Sequence, residues 1–538
     1  MVVLAATLVF VAGILIHVGS QSSRPVDHSA FEGIGLPDAS QYGSQSDSRV
    51  AVSGPGAVST SSSYASAAGA EMLELGGNAV DAAVAAAYAL AVVEPYASGP
   101  GGGGGAVISF ADGSGRPPLF VDFRDVADAT GAERKDRFSI PGFVMGMEHM
   151  VAEYGNLTMS EVMAPAIKLA EDGFEVNSLL AELLLNYQDK IGSAAAAYGG
   201  LPVAPGTVIT QPEMAQTLNL IAAEGPRAFY DDVVSSAYPN LDYQWSQLQE
   251  SLVVVRTPVK KEIQGRTLYS APAPFAGSVA LQLTDYLAAS PAAVLSNASP
   301  DSMADYFRYV DTVYEQRRAV LGDPAFGGEN VPLDESSLTQ TQPGLSAEPE
   351  ESVTTTQVSV VDKDGGAVSM TVTLGEFFGN GKLVGGFFSN ESLQFAKEGI
   401  NTAAPYKKPR TFMSPTIVIH EGTVTAVGTP GGNRIPQVLA QYLSADWALS
   451  NITAAGDMAR ITVDGDLVSF EDFPTQQVEN GLSGRGFRSR YITNRKMFFG
   501  SVNLAERAAD GTVSGYSDPR RLGMFMQIES GDNSEDGS

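Results

Sequence analysis

Three threonines stand together at 354–356, directly before an alternating run, 357–361, that leads into the turn Lys363-Asp364-Gly365. Threonine is a good strand former, and that alone accounts for its presence at the head of a strand. A second chemistry is open to it. If the chain is cut before one of these residues, the new α-amine lies beside that residue's own hydroxyl, and an amine of pKa about 8 suits a general base. Such a nucleophile needs neither cysteine nor histidine. Cysteine is absent from the 538 residues, which removes thiolate nucleophiles, disulfides, iron–sulfur ligation and Cys-type zinc sites. The four histidines are His17, His28, His149 and His420, and neither H-E-x-x-H nor G-x-S-x-G occurs. His149, on a helical stretch, and His420, beside a hairpin turn, read as packed or surface side chains. No metal and no cofactor is expected. The glycine run from Gly99 to Gly105 lacks the Lys-Ser/Thr of a phosphate loop and reads as a turn of close backbone approach.

The elements that must position these residues follow from periodicity. Small and apolar residues at helical spacing predict helices over 61–75 and 79–93, separated by the stop Gly76-Gly77-Asn78. Further helices are expected over 160–172, 302–321 and 436–449. Strands are expected over 358–361 and 367–374, and again over 416–419 and 423–427 around a Glu-Gly turn. A helical first part and a strand-rich second part together suggest a layered α/β protein.

Composition bounds the rest. At 44% apolar and 17% charged the chain is globular, and its length alone would allow three or four domains. The 61 acidic against 33 basic residues give a net charge of -28, which repels phosphate backbones and excludes a nucleic-acid partner. The apolar run 2–18 reads as a secretory signal or a marginally short membrane anchor within 1–20, so an exported protein is expected. Residues 21–49 read as a flexible tether and 529–538 as a solvated acidic tail.

Ten motifs then occur in one order: Leu75-Gly76-Gly77-Asn78-Ala79-Val80-Asp81; Glu94-Pro95 with the glycine run; Asp122-Phe123-Arg124; Pro141-Gly142; the stretch 165–174; Leu321-Gly322-Asp323-Pro324; Thr355-Thr356; Met413-Ser414-Pro415-Thr416; Gly428-Thr429-Pro430-Gly431-Gly432; and Ser517-Asp518-Pro519-Arg520. In them the chain resembles the γ-glutamyltranspeptidase, or glutathione hydrolase, family of the N-terminal-nucleophile hydrolase superfamily. The resemblance implies a four-layer αββα sandwich and self-cleavage between Thr354 and Thr355, with Thr354 and Thr356 as register alternatives. A large subunit, 50–354, and a small catalytic subunit, 355–528, would result. It further implies Thr355 as nucleophile, Thr373 as the residue that positions it, Gly431 and Gly432 as the oxyanion hole, and Arg124 as the grip on the substrate α-carboxylate. The substrate would be a small γ-glutamyl compound, with water or an amino acid or peptide as acceptor.

Some positions depart from the family pattern. Glu391 is retained where the glutamyl α-amine is held, but the second acid there is Gln394, which removes one charge-assisted partner worth ~1.5 to 3 kcal/mol. Thr411-Phe412 replaces a serine pair, Gly375 replaces a substrate-facing Asn, and Gln357 replaces a His. The interval 395–409 is short where lidded members carry an insertion, which implies an open site and efficient hydrolysis. The leading expectation is a self-processing γ-glutamyl hydrolase or transferase acting on glutathione and related amides. An N-acyl amidase of the cephalosporin (glutaryl) acylase kind and a processed, inactive binding protein are the alternatives.

Overall fold

The computed structural model describes residues 56–528 apart from 112, 133, 335, 337–352 and 494. The segments 1–20, 21–49 and 529–538 lie outside the described residues. The expected helical hairpin is present as α1 (Ser63–Glu74) and α2 (Ala79–Val93). Asn78 starts α2 by accepting the Val80 N–H at 2.8 Å, and Asp81 reciprocates by accepting the Asn78 N–H at 2.8 Å. This is a capping box. Asp81 also accepts from Asn156 and Leu157, so the Asn78-to-Asp81 portion of the first motif ties two segments together. Every residue of α2 is buried, which makes it a core helix with no polar face.

Thirteen strands build two sheets: β1 (Gly56–Thr60), β2 (Gly103–Ser109), β3 (Leu119–Phe123), β4 (Val254–Arg256), β5 (Val259–Ile263), β6 (Arg266–Ser270), β7 (Val353–Val361), β8 (Ala367–Glu376), β9 (Thr416–His420), β10 (Thr423–Gly428), β11 (Asn503–Arg507), β12 (Val513–Ser517) and β13 (Met524–Ile528). The first sheet has the order β13-β1-β7-β8-β2-β3-β4 and the second β12-β11-β10-β9-β6-β5. All their pairings are antiparallel. The expected split into a helical half and a strand-rich half is not what forms. Six of the thirteen strands precede residue 300. β1 and β2 gave no strand signal because glycine and alanine mask the alternation.

Side-chain alternation divides the core. Val368, Met370 and Val372 of β8 join Val358 and Val360 of β7 in one cluster with α2. The opposite face meets the second sheet, where Ala57, Val107, Phe120 and Val361 share a cluster with Ile417, Val424, Ala426 and Ala505. The far face of the second sheet packs on α3 (Gly277–Ala289) and α4 (Ile435–Leu449) through Leu268, Val418, Leu281, Val438 and Leu439. Odd-numbered residues of β7 and β8 therefore point between the sheets, and Thr355 and Thr373 are odd.

Candidate active site

Thr355 and Thr373 meet at an irregularity in the β7–β8 ladder. Val372 pairs with Thr356 and Gly375 with Thr354, so Thr373 and Leu374 together oppose Thr355. This bulge turns the Thr373 hydroxyl along the strand. It donates to the Thr354 carbonyl oxygen and accepts the Gly375 N–H at 2.9 Å, and the Thr355 Oγ1 lies 3.5 Å from it. Gly375 has φ +85, and a Cβ there would stand 2.6 Å from the Glu391 carbonyl oxygen. The residue is glycine because the bulge requires it. The glycine run has the same explanation: a Cβ on Gly102 would stand 2.2 Å from the Thr373 carbonyl oxygen. The chain entering β2 can pass beside Thr373 only without a side chain at Gly102.

Of the register alternatives, Thr356 shares a hydrogen bond with Ser61 at 2.9 Å on the other face, and the Thr354 hydroxyl is buried without a partner among the described residues. Thr355 alone of the three lines a cavity of about 330 Å³. Its wall also carries Thr373, Gly375, Gln394, Thr411, Phe412, Gly432 and four arginines: Arg124, Arg137, Arg317 and Arg410. Gly431 (φ +137) and Gly432 (φ +61) turn the chain from β10 into α4, so that the positive end of the helix dipole lies at this turn.

Arg124 emerges from β3 and is fixed from behind. Its Nη1 donates to Asp125, and its buried Nε has no partner among the described residues. Its N–H donates to Asp122 Oδ1 at 3.0 Å, and Asp122 is held by Lys408 at 2.8 Å and Arg256 at 3.0 Å. Burial pulls the Lys408 ammonium below its usual range, opposed by Asp122. Glu391 is placed otherwise than the sequence suggests. It is not among the residues lining the cavity, and its carboxylate pairs with Lys190 at 2.9 Å and Arg137 at 3.5 Å. Thr411 turns its hydroxyl toward the Met413 N–H at 3.3 Å, and Phe412 lies under the Arg317 guanidinium at 3.3 Å. Gln357 is buried in a network with Ser359, Ser369 and Thr371, so it braces β7 rather than facing the cavity.

One residue beneath Thr355 gave no sequence signal. The fully buried Arg521 donates to the Thr355 carbonyl oxygen at 2.8 Å. Glu94 lies close to it; burial raises the Glu94 carboxyl, partly offset by Ser61, Arg521 and Thr356. Arg521 follows the Ser517–Arg520 motif by one position, and a guanidinium that serves a backbone carbonyl leaves no side-chain pattern to read.

The family model described as Gamma-glutamyltranspeptidase matches residues 65–528. The chain belongs to this family. Two relatives cover most of it. The capsule biosynthesis protein CapD proenzyme of Bacillus anthracis is 34% identical over 489 residues, spanning 87% of this chain and 90% of the relative. The glutathione hydrolase proenzyme of Escherichia coli (strain K12) is 30% identical over 539 residues, with the same two coverages, 87% and 90%. Among solved structures, the cephalosporin acylase from Bacillus halodurans superposes with a TM-score of 0.77 at 21% identity, covering 90% of this chain and 97% of that one. That likeness supports the fold. Of the residues that the sequence singled out, Thr355, Thr373, Gly432, Arg124, Gln394, Thr411 and Phe412 line one cavity, and Glu391 and Gly431 are not among its lining residues.

Proposed function

We propose that this chain is a self-processing γ-glutamyl hydrolase or transferase that acts through an acyl-threonine, on a four-layer αββα scaffold of the N-terminal-nucleophile kind. The observation that carries the reading is the bulge geometry, with the Thr355 hydroxyl 3.5 Å from the Thr373 hydroxyl, which itself donates to the Thr354 carbonyl. In processing, Thr355 Oγ1 attacks the Thr354 carbonyl carbon while Thr373 stabilises the developing oxyanion. The 354–355 C–N bond breaks, the nitrogen takes up a proton, and water hydrolyses the resulting ester. Thr354 leaves as a carboxylate and Thr355 gains a free α-amine.

In turnover that amine takes the Thr355 hydroxyl proton as the oxygen attacks the substrate amide. Gly431 and Gly432, at the head of α4, supply N–H groups to the oxyanion. Arg124 holds the α-carboxylate, and water or an amino group of an acceptor releases the acyl group. The two pieces stay joined because residues 355–361 of β7 and all of β8, from after the cut, lie between β1 and β2, from before it. Export fits the apolar stretch 2–18.

The alternative acyl group is a glutaryl-like one with no α-amine. The observation that favours it is Glu391, engaged by Lys190 and Arg137, beside the neutral Gln394. A denaturing gel and parallel assays of γ-glutamyl and glutaryl anilides test both readings. The wild-type chain should give two fragments and turn over the γ-glutamyl anilide, and Thr355→Ala should give one band and no turnover. A wild-type chain that stays whole refutes self-processing, and turnover of the glutaryl anilide alone transfers the function to the acylase reading.

A further inference from the structure

On its β1 side β7 is paired only over 359–361. The Thr355 carbonyl lies beyond that pairing, and its oxygen accepts the Arg521 Nη1 at 2.8 Å in place of a strand N–H. Arg521 is 1% exposed, and its Nη2 donates to a second carbonyl oxygen, that of Met497, at 3.4 Å. A hydroxyl or a water would satisfy a backbone carbonyl without the desolvation that a buried guanidinium suffers. What arginine adds is a permanent positive charge. It stands beside the atom that self-cleavage sets free, because covalent geometry keeps the Thr355 nitrogen within about 4 Å of its own carbonyl oxygen. That nitrogen is therefore within about 7 Å of the Arg521 Nη1.

We propose that Arg521 is a positioning residue for turnover, which fixes the Thr355 carbonyl and keeps the freed α-amine neutral, the form that can take the hydroxyl proton. The inference rests on the acyl-threonine reading. Two cations about 7 Å apart, at an effective dielectric of about 20, repel strongly enough to lower the amine by about one unit or more. The neighbouring elements leave this field standing. On the cavity side Arg124, Arg137, Arg317 and Arg410 act in the same direction. On the Thr356 side Glu94 opposes Arg521 only as far as it is ionised, and burial raises its carboxyl. Burial likewise holds Tyr96 as a neutral phenol. The Asp518 carboxylate is engaged by Arg460 and Arg520, and Arg520 also pairs with Glu471. β2 carries no charge, and the one carboxylate of β8, Glu376, stands opposite Val353 rather than Thr355.

The test compares the full-length wild type, Arg521→Lys and Arg521→Gln, following self-cleavage on a denaturing gel and kcat/KM against pH with whichever anilide the wild type turns over. The acidic limb of kcat/KM reports the base of the free enzyme. In the wild type that limb should lie about one unit or more below the value of about 8 for an ordinary α-amine. It should stay there in R521K, which keeps the charge, and move up by about one unit in R521Q, so that R521Q loses about tenfold more rate on the acid side than on the alkaline side. An arginine that only braced the fold would lower the rate by one factor at every pH. Self-cleavage precedes the amine, so the ratio of R521Q to wild-type cleavage rates should not change with pH. If R521Q does not fold, the wild-type limb decides, and a limb at about 8 or above overturns the proposal. A cleaved, active R521Q whose limb coincides with that of the wild type overturns the role of Arg521 and leaves the acyl-threonine reaction standing. A wild-type chain that stays whole and turns over neither anilide overturns both.

Discussion

Thr373 has one proton to give, and in the uncleaved chain it gives it to the carbonyl of Thr354. Its lone pairs face the Gly375 N–H at 2.9 Å and the Thr355 hydroxyl at 3.5 Å. In the proposed self-cleavage the same hydroxyl would polarise the scissile bond and lie next to the attacking atom. Thr373→Ala should slow self-cleavage on the order of 100-fold, the scale for loss of one oxyanion donor, while Thr373→Ser keeps most of the rate. A time course of fragment appearance on a denaturing gel measures this, and equal rates for T373A and wild type would remove the hydroxyl from the reaction. At this scale the sequence singled out Thr355, Thr373 and Arg124, and all three line one cavity. Glu391 was less readable, because its ion pairs with Lys190 and Arg137 join residues more than 200 positions apart. Arg137, Arg317 and Arg410 escaped notice for the same reason: an arginine shows its partner only in three dimensions.

Elements hold these residues through turns as much as through strands. Asp518 caps the short turn Pro519–Arg521 through the Arg520 N–H at 2.9 Å and accepts the Val502 N–H at 3.0 Å. Burial alone would raise its carboxyl, but Arg460 and Arg520 outweigh burial and hold it below the usual aspartate range. That turn delivers Arg521 to the Thr355 carbonyl. A carboxyl with a depressed folded-state pKa contributes stability that is fully present above its unfolded value of about 4 and is lost as pH falls through the folded value. Unfolding free energy should therefore drop below about pH 4 more steeply in the wild type than in Asp518→Asn, followed by urea titration at each pH. Identical slopes would mean that the Asp518 charge does not hold the turn. The five helices given bounds from the sequence lie within about two residues of those formed, as α2 over 79–93 shows, because caps and periodicity are local, whereas others such as α3 were given none. β1, β2 and the bulge were not, because close backbone packing selects glycine and alanine, and those erase the alternation that marks a strand.

The whole molecule sets two fields against each other. Its net charge of -28 repels an anionic donor over tens of ångströms, whereas the described lining of the cavity carries four arginines and no acidic residue. Salt separates the two by range, since the Debye length is about 30 Å at 0.01 M and about 8 Å at 0.15 M. Added salt therefore removes the distant repulsion first and leaves the short, partly desolvated arginine contacts nearly intact. The KM for a multiply anionic donor should fall several-fold between about 10 and 150 mM salt and then level off, with kcat unchanged. A donor of zero net charge should show a much flatter profile. A KM that rises steadily from the lowest salt would mean that the arginine field already dominates at the distance of encounter, and the acidic surface would then play no part in substrate approach.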